Sequence, residues 1–66
     1  MVKISDIRVG STVRVRGAFG SGPITLASVE DVDADIKNGR PGIDYRDLRN
    51  EPHWAYLDQV VEVVKY

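Results

Sequence analysis

Cysteine is absent from this chain of 66 residues. The absence excludes disulfide bonds and zinc sites built on thiolates, which are common cross-links in small domains. A chain of this length buries a modest share of its surface on folding, so its stability has to come from side-chain packing or from a partner. The length allows one domain, which we expect to span residues 1–66.

Long apolar segments are also missing. No run approaches the roughly 20 apolar residues that cross a bilayer, and the first residues lack the basic start and apolar core of a signal peptide. We therefore expect a cytoplasmic protein that does not associate with membranes. The formal net charge is −1, which gives the whole chain no strong attraction to nucleic acid or to anionic lipid.

The charges are nevertheless unevenly distributed along the chain. The charged residues among the first 22 are mostly basic, namely Lys3, Arg8, Arg14 and Arg16 against Asp6. The charged residues among 23–36 are all acidic, namely Glu30, Asp31, Asp33 and Asp35. Carboxylates two residues apart on a strand share one face and repel each other unless basic groups lie opposite. Arg14 and Arg16 are the partners we expect for them.

The residues that are abundant favour β-strands. Ten valines and five isoleucines stand against three leucines, and β-branched side chains fit a pleated sheet better than a helix. Thr12–Arg16 alternates strictly, with Val13 and Val15 on one face, which predicts a half-buried strand. The preceding residues are expected to cover one end of the core with Ile4, Ile7 and Val9. Residues 17–23 hold three glycines and a proline and predict a loop.

The central residues predict a bent strand and a hairpin. Residues 23–37 are extended, but Val29 is out of phase with the other apolar residues, which predicts a bulge or bend at residues 28–31. Asn38-Gly39 is a strong hairpin signal, and Pro41-Gly42 is expected to complete the corner through its backbone angles. Ile43 and Tyr45 then return opposite Ile36 and Ala34. Two further strands, 53–57 and 60–64, are joined by one tight turn at 58–59.

Together these elements predict an all-β fold, a small barrel of five to six short and strongly bent antiparallel strands. Trp54 to Val61 resembles the strand, turn and strand that close Src-homology-3-like (SH3-like) barrels. Val13 to Phe19, followed by Gly22, is similar to the start of a KOW segment, the variant found in ribosome- and polymerase-associated proteins. Lys37 to Tyr45 with Trp54 to Val60 resembles small uncharacterised phage and prophage proteins. This resemblance implies an SH3-like (KOW or Tudor-type) fold and a bacterial or phage origin, and no activity.

No pattern indicates catalysis. Asp31, Asp33 and Asp35 do not form a calcium loop, because the sixth and twelfth positions are Ile36 and Gly42. His53, the only histidine, could combine with Asp44 or Asp47, but an exposed histidine at a strand edge is the favoured interpretation. We therefore expect no enzyme activity, no cofactor and no metal site.

Arginine and aromatic residues carry the functional prediction. Planar guanidinium groups and aromatic rings are enriched at binding surfaces. We predict a noncatalytic binding module whose partner is a protein or peptide, with a binding surface formed by Arg40, Asp44, Tyr45, Arg46, Trp54 and Tyr56. Trp54 and Tyr56 share one parity on their strand, and Ala55 and Leu57 share the other. The alternation leaves open which pair enters the core.

Two alternatives remain at this stage. A KOW-like module that binds nucleic acid or the ribosome would use Arg8, Arg14 and Arg16 around the first strand, although the net charge does not favour it. A phage structural or assembly protein would instead complete its core by association through the apolar strand 60–64. The expected state in solution is a monomer or a weak homo-oligomer.

Overall fold

A computed structural model describes residues 2–66, with the exception of the side chain of Phe19. The five strands are β1 (Thr12–Arg16), β2 (Ile24–Lys37), β3 (Arg40–Arg46), β4 (Pro52–Tyr56) and β5 (Val60–Lys65). Three single 3-10 turns accompany them, at Ile4–Asp6, Ala18–Gly20 and Leu57–Gln59. None of the helical segments in the described residues has the length and apolar character needed to cross a membrane.

The strands form one antiparallel sheet in the order β4-β3-β2-β1-β5. The all-β prediction is confirmed, and the number of strands is five. Within residues 2–66 no hydrogen-bonded ladder joins the edge strands β4 and β5, so the backbone pairing does not close a barrel. A side chain instead links the end of β4 to the end of β1. Gln59 accepts a hydrogen bond from the Tyr56 amide at 3.0 Å and donates one to the Arg16 carbonyl at 3.0 Å.

The core lies on one face of the sheet, and every strand contributes to it. Its buried apolar members are Ile7, Val13, Val15, Ala27, Val29, Ile43, Tyr45, Ala55 and Val60. The inward orientation predicted for Val13 and Val15 is confirmed, since both are fully buried. Val9 was expected to cover the core, but it is 63% exposed, because it lies in the turn that leads into β1.

Two irregularities bend β2. The pairing with β3 shifts register between Val29 and Asp31, which confirms the bulge predicted from the phase of Val29. A second shift lies between Asp33 and Lys37. The turn sets Lys37 opposite Arg40, and with the two shifts Ile43 pairs with Val32 and Tyr45 with Val29, so the pairing expected with Ile36 and Ala34 is wrong.

The β2–β3 hairpin turns at the predicted dipeptide. Asn38 and Gly39 both have positive φ angles, 55° and 72°, as a tight hairpin turn requires. Gly42, however, lies within β3 and has no positive φ. A Cβ atom there would stand 2.4 Å from the Ala55 carbonyl oxygen and 2.4 Å from Cγ2 of Ile36. The glycine is needed for close packing, which corrects the expectation that it serves the turn.

Candidate binding surface

The outer face of β3 and β4 carries both aromatic residues of β4. Trp54 pairs with Asp44 and Tyr56 with Gly42, while Ala55 pairs with Ile43 and is 1% exposed. Since successive residues of a strand point to opposite faces, the burial of Ala55 directs Trp54 and Tyr56 outward. Both rings are half-buried. Of the two arrangements that the sequence left open, the structure has the one with Ala55 in the core.

Two cationic side chains lie over these rings. The Trp54 and Tyr56 rings meet edge to face, with centroids 5.1 Å apart and planes at 86°. The Arg40 guanidinium carbon is 3.8 Å from the Tyr56 centroid, and Lys37 Nζ is 5.1 Å from the Trp54 ring. These distances are within the range of cation–π attraction. We call Lys37, Arg40, Trp54 and Tyr56 the aromatic–cation cluster.

Neighbouring polar groups hold the cluster in place. Asn38 Nδ2 donates to the Tyr56 hydroxyl at 3.3 Å, and Arg40 forms an ion pair with Asp58. A concavity of about 140 Å³ opens beside the Arg40–Asp58 pair, and its lining is completed by Val2, Pro41, Tyr56 and Leu57. The concavity offers an apolar surface bordered by a guanidinium and a carboxylate.

Acidic groups border the cluster on the side of β2. Asp44 pairs with Asp31 on one flank and with Trp54 on the other, and Asp33 follows along β2. Burial raises the pKa of Asp44, and the charges of Asp31, Asp33 and Glu30 raise it further. The outer face thus changes from an acidic stripe on β2 and β3 to aromatic rings and cations near the hairpin.

Tyr45 and Arg46 do not join the cluster. Tyr45 is 7% exposed and lies in the core, where its ring stacks on His53 with centroids 5.4 Å apart. Burial raises the pKa of Tyr45, and the charge of Asp47 adds to this effect. Arg46 forms an ion pair with Glu30 at 3.0 Å and donates to the Asn50 carbonyl at 2.7 Å, so it ties β3 to β2 and to the following loop.

The three arginines proposed for nucleic-acid binding have intramolecular partners. Arg14 Nε contacts Glu62 Oε1 at 2.9 Å, and Arg16 Nη1 donates to the Gly22 carbonyl at 3.5 Å. Arg8 lies over the Tyr66 ring at 4.4 Å and donates to its carbonyl oxygen. The expectation that Arg14 and Arg16 lie opposite the acidic residues of β2 is wrong, because β1 pairs with residues 24–28 of β2, before the acidic stretch begins.

Sequence reasoning identified Arg40, Trp54, Tyr56 and the adjacent Asp44, but it missed Lys37, Asn38 and Asp58. A signal for Lys37 was available, because the Asn38-Gly39 turn makes Lys37 and Arg40 a cross-strand pair on one face, as observed. Asn38 and Asp58 had no such signal. Their contacts join residues 18 positions apart in each case, and they depend on how the β4–β5 turn packs against the hairpin.

In comparisons with known proteins, no family model, curated protein or solved structure matches the chain. Any assignment of function therefore depends on the chemistry of the surface itself.

Proposed function

We propose that this chain is a small noncatalytic module that binds a protein or peptide through the aromatic–cation cluster. The observation that carries the proposal is the outward orientation of Trp54 and Tyr56. The core is already filled from the other face by Ile43, Tyr45 and Ala55, so an outward tryptophan is not required to complete it. Tryptophan, tyrosine and arginine are the residues that most often dominate the binding energy of protein interfaces.

The concavity beside Arg40 supports a partner that inserts a side chain. Its edge offers the Tyr56 ring for apolar contact, together with the ion-paired Arg40 and Asp58. A partner group that exchanges with either member of this pair would gain a charge-assisted hydrogen bond. The surface is small and only slightly concave, which suits a short peptide segment better than an enclosed small molecule.

The fold that we propose for the module is SH3-like. The strand order, the strong bending of β2 and the single 3-10 turn between β4 and β5 support it. The Gln59 hydrogen bonds support it as well, because they bring the end of β4 next to the end of β1. A phage or prophage origin and a cytoplasmic location belong to the same proposal.

The contacts of the three N-terminal arginines make nucleic-acid binding the weaker alternative. Their guanidinium groups are engaged by Glu62, by backbone carbonyls or by the Tyr66 ring, and a phosphate would have to displace these partners.

Self-association is favoured by one observation. The edge strand β5 presents Val61 and Val64, which are 49% and 47% exposed, and exposed edges pair with other strands.

A displayed peptide library, selected on the full chain, tests the proposed function. Selected peptides should shift the NMR signals of residues 37–40 and 54–58. Trp54→Ala should weaken their binding at least tenfold, which corresponds to about 1.4 kcal/mol. Because Trp54 is half-buried on the outer face, the variant should keep a folded spectrum.

Leu48→Ala provides the matched control, since Leu48 is 80% exposed and lies in the loop after β3. Its peptide affinity should equal that of the parent chain. Arg40→Gln, which keeps an amide at the rim of the concavity, should give an intermediate loss. Selected peptides that bind Trp54→Ala and the parent equally, or that shift β1 or β5 instead, would refute the assignment of this surface.

A further inference from the structure

The loop between β3 and β4 brings together three groups of the kind that bind metal ions. One ligand atom each from Asp47, Glu51 and His53 can be chosen such that all lie within 4.8 Å of one another. We propose that these three residues bind a divalent transition-metal ion, for which Zn²⁺ is the best match. The inference is independent of the proposed peptide binding, because the residues lie outside the aromatic–cation cluster.

The loop holds Asp47 and Glu51 together through the backbone. The Asp47 amide donates to the Glu51 carbonyl at 3.1 Å, and the Glu51 amide donates back to Asp47 Oδ1 at 3.0 Å. The Arg49 amide also donates to Oδ1, at 2.8 Å, and Asn50 adopts a positive φ of 63° to complete the turn. The turn thus fixes the backbone positions of Asp47 and Glu51, from which the two carboxylate side chains extend.

These backbone bonds leave the second oxygen of Asp47 directed at His53. Asp47 Oδ2 is 2.8 Å from Nε2 of the imidazole. Stacking on the buried Tyr45 ring limits rotation of His53.

The donor set distinguishes between metals. One imidazole nitrogen with two carboxylate oxygens suits Zn²⁺ and related transition ions, whereas calcium and magnesium prefer oxygen ligands alone. Ligands of a tetrahedral Zn²⁺ lie about 2.0–2.2 Å from the metal and so roughly 3.5 Å apart. The Asp47 Oδ2–His53 Nε2 distance of 2.8 Å would increase by about 0.7 Å as the metal replaces the hydrogen bond between these two atoms, and rotation of the exposed Glu51 side chain would complete the triangle.

The site also has room for a further ligand. A cavity of about 260 Å³ adjoins Asp47, His53 and Tyr45, and its opposite wall is formed by Gly17, Ala18, Pro23 and Thr25. Three protein ligands beside an open cavity leave a coordination position for water or for a small anion. Residues 17–23, which the sequence predicts only as a loop, thus line one side of this site.

Zinc chloride titrated into the untagged, isotope-labelled full chain tests the proposal. The expected result is saturation at one equivalent, with the largest NMR shifts at the amides of residues 45–53 and at the His53 ring. His53→Gln and Glu51→Gln should each weaken Zn²⁺ binding at least tenfold. Asp58→Asn is the matched control, because its carboxylate is exposed and pairs with Arg40 elsewhere, and it should bind Zn²⁺ as the parent does.

The spectra of the metal-free variants show whether each one is folded. If His53→Gln is unfolded, Glu51→Gln decides, since its side chain is exposed and its backbone bonds do not depend on the carboxylate. Equal affinity in the parent and in a folded Glu51→Gln variant would overturn the proposal. So would shifts centred on Asp31, Asp33 and Asp44, which would mark diffuse attraction to the acidic stripe.

Discussion

Gly42 is a single position at which any side chain would collide with the neighbouring strand and with β2. A Cβ atom would lie 2.4 Å from both the Ala55 carbonyl oxygen and Ile36 Cγ2, one of which is backbone and cannot rotate away. Relief therefore requires separation of β3 from β4. The same separation would move Tyr56, which pairs with Gly42 and belongs to the aromatic–cation cluster.

We expect Gly42→Ala to lower the free energy of unfolding by about 2 kcal/mol, the usual cost of overpacking. Urea denaturation followed by tryptophan fluorescence measures it. Gly17→Ala is the matched control, because a Cβ atom there meets nothing within 4 Å and the φ of Gly17 is −69°. An unchanged stability of Gly42→Ala would show that the strands adjust at no cost.

Gln59 connects two strands, β4 and β1, that no β-ladder joins. Its side chain is 6% exposed, accepts from the Tyr56 amide where β4 ends, and donates to the Arg16 carbonyl where β1 ends. Without Gln59, the Tyr56 amide and the Arg16 carbonyl would both lose a partner in a part-buried position, and leaving such groups unsatisfied is costly. The amide is thus suited to both of its roles, since it offers one acceptor and one donor in a fixed geometry.

Gln59→Ala is expected to lower the free energy of unfolding by about 2 kcal/mol, since two backbone groups lose a partner. Chemical denaturation gives the value, and amide hydrogen exchange should show faster exchange at Tyr56. The exposed neighbour Asp58 offers a control, and Asp58→Ala should change stability by less than about 1 kcal/mol. A loss of equal size in both variants would assign the effect to the turn as a whole.

The stability of the whole molecule should depend on pH through two aspartates whose pKa values shift in opposite directions from 3.8. Asp44, with its raised pKa, costs stability when ionised. This cost is fully present above its folded pKa and disappears below 3.8. Asp47, with its lowered pKa, contributes stability above 3.8, which is lost as the pH falls through its folded pKa.

Asp44→Asn should therefore raise the free energy of unfolding at pH 7 by about 0.5 kcal/mol, the size of a cross-strand like-charge contact, and the gain should vanish at pH 3. Asp47→Asn serves as the opposite case, because it should destabilise at pH 7 and have less effect as the pH is lowered. Thermal unfolding at both pH values measures the differences. A gain for Asp44→Asn that persists at pH 3 would mean that packing, and not charge, is responsible.

Strand positions were the most predictable part of this chain. The alternation of Val13 and Val15 predicted their burial, the out-of-phase Val29 predicted the bulge in β2, and Asn38-Gly39 predicted the hairpin turn, because each pattern depends on residues close in sequence. The register of β3 was not predictable, because no out-of-phase apolar residue marks the second irregularity, between Asp33 and Lys37. That register places Tyr45 beside Val29 in the core, away from Trp54 and Tyr56.

The sequence by itself determined the all-β character, the hairpin and the fact that Trp54 and Tyr56 share one face of their strand, because strand periodicity is a local property of the backbone. Only the tertiary structure decided which face of β4 is buried, where the sheet stops and which groups meet across loops. Burial of Ala55, the Gln59 bridge and the Asp47–His53 contact each depend on the path of the chain between distant residues. The register shifts in β2 contribute to that path, because bulges bend and twist a strand.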